Sequence, residues 1–253
     1  MGELSWAESL ALLGVGVVSG ALNVLAGGGS FLSLPLLIFL GLPPSVANGT
    51  NRIAILVQNI GAVWRFRRHG LVDRSWFAMA ALPAAAGALL GTWAAIEIGE
   101  DLFRRVLAAL MVAATLWILW DPIDRKVTGE AKLVGGGPRV ALVAAFFGVG
   151  VYGGFVQAGI GFLLVALATW AGLDLVRGNA LKVLVVLGLT PLSLAIFAWS
   201  GRVDWVAGIP LAAGHLIGAL AGVRLTILKG HAWIKRFVTV TVIAFAIKLW
   251  LAP

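Results

Sequence analysis

A displacement of 131 residues brings this chain into register with itself. Phe31-Leu32 then falls on Phe162-Leu163, Gly41-Leu42 on Gly172-Leu173, and Asn48 on Asn179. Gly70, Val72 and Asp73 fall on Gly201, Val203 and Asp204. Gly87-Ala88-Leu89 and Gly91 fall on Gly218-Ala219-Leu220 and Gly222, Gly99 on Gly230, and Arg105 on Arg236. Apolar matches arise by chance in a chain that is 60% hydrophobic, but glycine, asparagine and aspartate matched at one constant offset do not. The chain is therefore two copies of one unit, each written in apolar segments. These run roughly over 8–25, 30–41, 46–64, 75–96, 102–120, 139–157, 160–171, 177–199, 204–228 and 232–251. Each copy has five segments, or three full spans if its first two form a hairpin. Both counts are odd, so the second copy enters a bilayer upside down, which is the inverted-repeat plan of secondary transporters.

Only a bilayer accepts such a chain. Charged residues make up 12% of it, against about a quarter in soluble domains, and several segments supply the ~20 apolar residues that a spanning helix needs. The prediction is an all-α polytopic membrane protein with two inverted-topology repeats of about five helical segments each and broken or re-entrant first helices. Residues 1–120 form the first repeat, 121–138 a polar, glycine-rich cytoplasmic linker, and 139–253 the second repeat. Segments 30–41 and 160–171 are too short to span comfortably. Each follows its predecessor across a break, at Gly27-Gly28-Gly29-Ser30 and at Ala158-Gly159.

The net charge is +8. In a soluble domain that would suggest nucleic acid. Here the basic residues lie mostly in short loops, where they report orientation instead. With the N-terminus outside, the inner loops hold Arg65, Arg67, Arg68, Arg74, Arg125, Lys126, Lys132, Arg139, Arg177, Lys229, Lys235 and Arg236, and the outer regions hold Arg104, Arg105, Arg202 and Lys248. Twelve against four puts both termini outside. Met1–Ala7 carries Glu3 and no basic residue, so the first apolar stretch reads as retained structure, not a cleaved signal. Trp64, Trp76, Trp120, Trp199, Trp205 and Trp250 fall near segment ends, where indole rings favour the membrane interface. The absence of cysteine excludes disulfides and thiolate metal sites, and nothing calls for a cofactor.

Three cations remain in or near apolar segments: Arg52, Lys182 and Arg224. None of the eleven acidic residues lies deep in a span. A charge at mid-membrane costs at least ~2.5–3.5 kcal/mol, and a buried cation without a protein anion suggests a bound one. Under the repeat, Asn51 falls on Lys182 and Arg52 on Val183, so each copy places a cation near the start of the same helix. Asn48, Thr50, Asn51 and Asn179 surround them, and Gln58 and Asn59 extend the polar content. The alternative for Arg52 and Lys182 is snorkelling to the interface, which is the preferred reading for Arg224. Gly28, Gly29 and Ser30 open one short helix, and Gly159 and Gly161 the other. Helix N-termini attract anions. Tyr152 and Gln157 lie near the second break as potential donors. Gly87-xxx-Gly91 and Gly218-xxx-Gly222 are small-residue patterns for packing inside the bundle. His215, the one histidine within a span, is a structural residue or a proton carrier.

The run Gly20-Ala21…Ala26-Gly27-Gly28-Gly29-Ser30-Phe31…Pro35-Leu36-Leu37…Gly41-Leu42-Pro43-Pro44…Ala47-Asn48-Gly49-Thr50 resembles the first repeat of the sulfite exporter TauE/SafE (TSUP) family. Gly153-Gly154…Gly159-Ile160-Gly161-Phe162…Gly172-Leu173-Asp174-Leu175…Asn179-Ala180-Leu181-Lys182 resembles its second repeat, with Ala166 in the place of Pro35 and Leu181 in that of Thr50. The resemblance implies a bacterial or archaeal plasma-membrane carrier for sulfite, organosulfonates or related sulfur anions, with small carboxylates as an alternative. It implies a binding region at Gly27–Ser30, Asn48–Arg52, Gly159–Gly161 and Asn179–Lys182. The expected partners are a small anionic substrate and the lipid bilayer, with no nucleic acid, in a monomer or a homodimer. Rival readings are an anion channel, a membrane scaffold, and an intramembrane enzyme built on Ser30 and His215.

Overall fold

The computed structural model describes residues 4–25, 27–71, 76–120 and 137–226, and every regular element among them is helical. Linker residues 121–136 and the last apolar segment lie outside the described residues. So do Arg74, Arg125, Lys126, Lys132, Lys229, Lys235, Arg236 and Lys248. The helices are α1 (Trp6–Leu25), α2 (Ser30–Phe39) and α3 (Pro44–Arg68), then α4 (Leu82–Glu97), which continues a π-helical turn at Phe77–Ala81. After α5 (Glu100–Trp120) come α6 (Gly137–Phe155), α7 (Ile160–Trp170) and α8 (Leu175–Trp199). A last described helix, α9, covers Trp205–Thr226. Local chemistry sets the boundaries. Pro44 starts α3, where its missing N–H costs nothing. Asp174 caps α8 by accepting from the N–H groups of Val176 and Arg177 at 2.9 and 3.0 Å.

Among the described residues four helices are long and apolar enough to cross a membrane: α1, α8, α9 and Ala78–Glu97, which overlaps α4. The helix α2, with 10 residues, and α7, with 11, are not. At 1.5 Å per residue they reach ~15 Å, half the hydrocarbon thickness. The matched turns after them have nearly identical backbones, with φ +92° at Gly41 and +89° at Gly172. The turns after α3 and α8 both place a glycine, Gly70 and Gly201, at +67°.

The packing crosses between the copies. On α9, Gly214, Gly218 and Gly222 lie against the main chain of Leu13, Val17 and Ala21 on α1, so these two helices run parallel. Gly87 and Gly91 on α4 lie against Phe147 and Val151 on α6 in the same way. Both small-residue patterns thus serve close helix approach inside the bundle. Copies α3 and α8 run antiparallel: Arg52 near the start of α3 stacks on Phe197 near the end of α8, while Phe66 near the end of α3 packs with Ala180 and Val183. A helix lying antiparallel to its own copy is what an inverted relation produces.

These directions also resolve the breaks. Helix α1 starts at the end of the bundle where α9 and α3 start, and α2 returns there before the turn into α3. The α1–α2 pair is therefore a hairpin with both ends at one end of the bundle, and α6–α7 is its counterpart from the opposite end. Their tips meet at the centre, where Gly27 touches Gly161, the Phe162 ring covers Gly28, and the Phe31 ring covers Gly159. Trp64, Trp199 and Trp205 stand 52%, 94% and 53% exposed, as an interface position requires. Trp76 is a correction. It stands just before the π-helical turn and is buried in one core cluster with Met79, Ala80 and Ala84.

Candidate functional site

Lys182 on α8 and Arg52 on α3 lie buried inside the bundle. The Lys182 ammonium donates to the carbonyl oxygens of Asn23 and Val24 at 2.8 and 2.6 Å and to Oδ1 of Asn179 at 2.7 Å. The two terminal nitrogens of Arg52 donate to the carbonyl oxygens of Gly153 at 3.2 Å and Gly154 at 2.5 Å, with the guanidinium 4.7 Å above the Phe197 ring. All four carbonyls belong to the ends of α1 and α6, where a helix leaves acceptors unsatisfied and presents its negative dipole end. Each cation thus caps the first helix of the opposite copy.

Between the hairpin tips lies a small cavity of about 20 Å³. It is lined by Asn23, Gly27 and Ser30, by Ile55, Gln58 and Asn59 on α3, by Gln157, Ile160 and Gly161 at the second break, and by Lys182 and Val186 on α8. Ile55 and Val186 are repeat partners, so the cavity sits at the midpoint of both central helices. Of the residues the sequence singled out, Gly27, Ser30, Gln58, Asn59, Gln157, Gly161 and Lys182 line it. The others support the surrounding frame. Asn48 donates to the Phe155 carbonyl at 2.9 Å, beside the acceptors of Arg52. Thr50 accepts from the Asp204 N–H at 2.8 Å, at the start of α9. Asn51 links Ser30 and Ser33, tying α3 to α2, and Asn179 holds Lys182. Gly28 and Gly159 permit the close contact of the tips, and Gly29 lets α2 start against Ser19 and Asn23 on α1. Arg52 is not among the lining residues.

A directed hydrogen-bond chain orders one wall of the cavity. The Gly29 N–H donates to Asn23 Oδ1 at 2.8 Å, which leaves Asn23 Nδ2 to donate to Gln58 Oε1 at 3.3 Å. His215 Nδ1 meets the same oxygen at 2.8 Å and must be its second donor. Gln58 Oε1 is thereby saturated, and its Nε2 has no hydrogen-bond partner among the described residues. Gln157 donates to Thr190 Oγ1 at 2.6 Å and keeps a buried, unpartnered Oε1. His215 Nε2 is likewise buried and unpartnered, and no hydrogen bond joins His215 to Ser30. Among the described residues no acidic side chain lines the cavity, and no cluster of histidine and carboxylate groups could hold a metal. Sequence reasoning missed Asn23. Its signal was an amide inside an apolar run, just before a glycine break.

The model of the family "Sulfite exporter TauE/SafE" matches residues 12–249. A probable membrane transporter protein, ORF9, from a Sinorhizobium species is 28% identical over 93% of this chain and 90% of its own length. One from Haemophilus influenzae is 29% identical over 89% of this chain and 88% of its own. The probable membrane transporter YfcA of Escherichia coli K12 is 27% identical over 93% and 87%. No solved structure matches. With its family signature running through both hairpins and nearly the whole length, this chain belongs to the sulfite exporter TauE/SafE family and is a multi-pass membrane protein.

Proposed function

We propose that this protein is a secondary carrier, not an enzyme, and that it moves one small anion, a sulfite, organosulfonate or related sulfur oxyanion, through the cavity between the hairpin tips. The observation that carries this reading is a lysine charge buried beside a central cavity that holds amide donors and no carboxylate. In such a low-dielectric setting the charge acts on an anion without touching it, and the Gln58 amide supplies direct hydrogen bonds. Arg52, with its donors turned to the end of α6, serves the frame. Alternating access follows from rocking of one repeat, residues 1–120, against the other, 139–253, joined by a cytoplasmic linker at 121–138. Both termini lie outside the plasma membrane of a bacterial or archaeal cell. An inside-negative potential of 100 mV favours exit of a monovalent anion by ~2.3 kcal/mol.

Reconstituted liposomes test this with sulfite, thiosulfate, sulfoacetate, taurine, sulfate and acetate. Saturable, counterflow-competent flux of a sulfur anion is expected. Flux that never saturates would indicate a channel, flux of acetate alone a carboxylate carrier, and no flux of any anion would sink the reading.

A further inference from the structure

The two hairpins present opposite charges to the centre. Helices α2 and α7 turn their N-termini inward and attract an anion, while α1 and α6 turn their C-termini inward and repel one. In inverted-repeat carriers, unwound carbonyls and half-helix C-termini are where a coupling Na⁺ is held. At the end of α1 that place is filled. Three neutral oxygens, the carbonyls of Asn23 and Val24 and Oδ1 of Asn179, surround the Lys182 ammonium at 2.6–2.8 Å. An ammonium has three protons, and all three are committed. Lys182 is therefore neither half of an ion pair nor free to bond a substrate in this conformation, yet it lines the cavity.

We propose that Lys182 is a tethered cation occupying a monovalent-cation site built from Asn23, Val24 and Asn179, which makes anion transport independent of any coupling cation. The proposal rests on the anion-carrier reading and adds the coupling that it leaves open. Removing the tethered charge empties the site and exposes the negative end of α1 to the anion. A free small cation then takes its place, and transport becomes dependent on that cation. Arg52 does the same at Gly153 and Gly154, but away from the cavity.

The test compares wild type with Lys182→Ala and Lys182→Ser, purified and in liposomes, in choline, Na⁺ or propylammonium chloride. Propylammonium replaces the atoms that the alanine variant lacks; choline is too large for the site. Wild-type melting and flux should be the same in all three salts. In the variants, Na⁺ or propylammonium should raise the melting temperature saturably, by ~3 °C or more relative to choline. It should also restore flux at least ~fivefold from a level at least ~tenfold below wild type. Variants that fold and transport equally well in every salt would overturn the proposal while leaving the carrier reading intact, and so would variants that neither cation can fold. If wild type carries none of the anions, the carrier reading fails, and the melting shift still decides whether the site exists.

Discussion

Removing the Arg52 guanidinium should unfold this protein more readily without weakening its hold on an anion. Arg52→Ala leaves the Gly153 carbonyl without its side-chain donor, whereas Gly154 keeps one from Thr92 Oγ1 at 3.1 Å. One buried, unsatisfied acceptor costs about 1–3 kcal/mol. The positive charge at a partly buried helix C-terminus contributes up to ~2 kcal/mol, and the desolvated stack on Phe197 ~1–2 kcal/mol. These contributions overlap, and a total of about 2–4 kcal/mol is expected. Arg52→Lys keeps the charge but loses the two-pronged grip, which should cost about 1–2 kcal/mol. Titration with SDS in mixed micelles, followed by tryptophan fluorescence, measures both. Anion flux through Arg52→Lys should keep its KM within ~threefold of wild type, because the guanidinium does not line the cavity. A loss below about 1 kcal/mol for Arg52→Ala would refute the capping argument. An unchanged stability with a tenfold higher KM would put Arg52 on the substrate instead.

Gly91→Val and Gly218→Val should damage the fold to a similar degree, because each drives a side chain into the main chain of the facing helix, at Val151 and at Val17; the yield of monodisperse protein reads this, and a normal yield from either would contradict the packing. Gln58→Glu puts a carboxylate at the cavity wall and should raise the apparent Kd for the anion at least ~tenfold, where equal affinity would show that the ion binds elsewhere. His215→Phe frees Gln58 Oε1 from its second donor and should raise KM more than it lowers kcat; a change in kcat alone would argue against the orienting chain. The chain has no cysteine, so His69→Cys and Ser200→Cys are clean reporters of orientation. An impermeant maleimide added to intact cells should label Ser200→Cys only, and the reverse pattern would invert the topology.

The elements were legible because their signals are local. Glycine runs marked the breaks, a constant offset marked the copies, and the lengths of α2 and α7 marked both as too short to span comfortably. The hairpin tips were legible as glycines but not as contacts, since nothing in the sequence says that Phe31 will cover Gly159 and Phe162 will cover Gly28. The site was legible in outline. Lys182 and Arg52 stood out as charges without carboxylates, and both are buried inside the bundle. Their partners were illegible for a physical reason: they are main-chain carbonyls, and the acceptor at Gly153 or Val24 is the same atom that every residue carries. Trp76 was misread because proximity to a segment end does not fix the direction of a side chain, which here is buried in the core just before the π-helical turn.

The copies match in frame and differ in lining, and the difference is what makes one central site rather than two. Each hairpin needs its C-terminal carbonyls capped, and each copy supplies a cation from its central helix. The caps differ by one residue in register, since Lys182 falls on Asn51 and not on Arg52. On α8 this leaves the cation at the cavity wall, whereas on α3 it places the guanidinium over Phe197 and out of the cavity. The polar walls diverge as well: Gln58 faces a cavity in which its repeat partner Leu189 has no part, and Gln157 falls on Ala26. A symmetric pair of lining cations would hold two anions or hold one too tightly to release. One lining cation with its protons already committed attracts an anion through its field alone, and such an interaction is lost when the tips part. On this argument, moving the second cation to the cavity, as in the double variant Arg52→Val with Asn51→Lys, should tighten anion binding and slow turnover together. Faster turnover in that variant would show that the asymmetry serves something other than release.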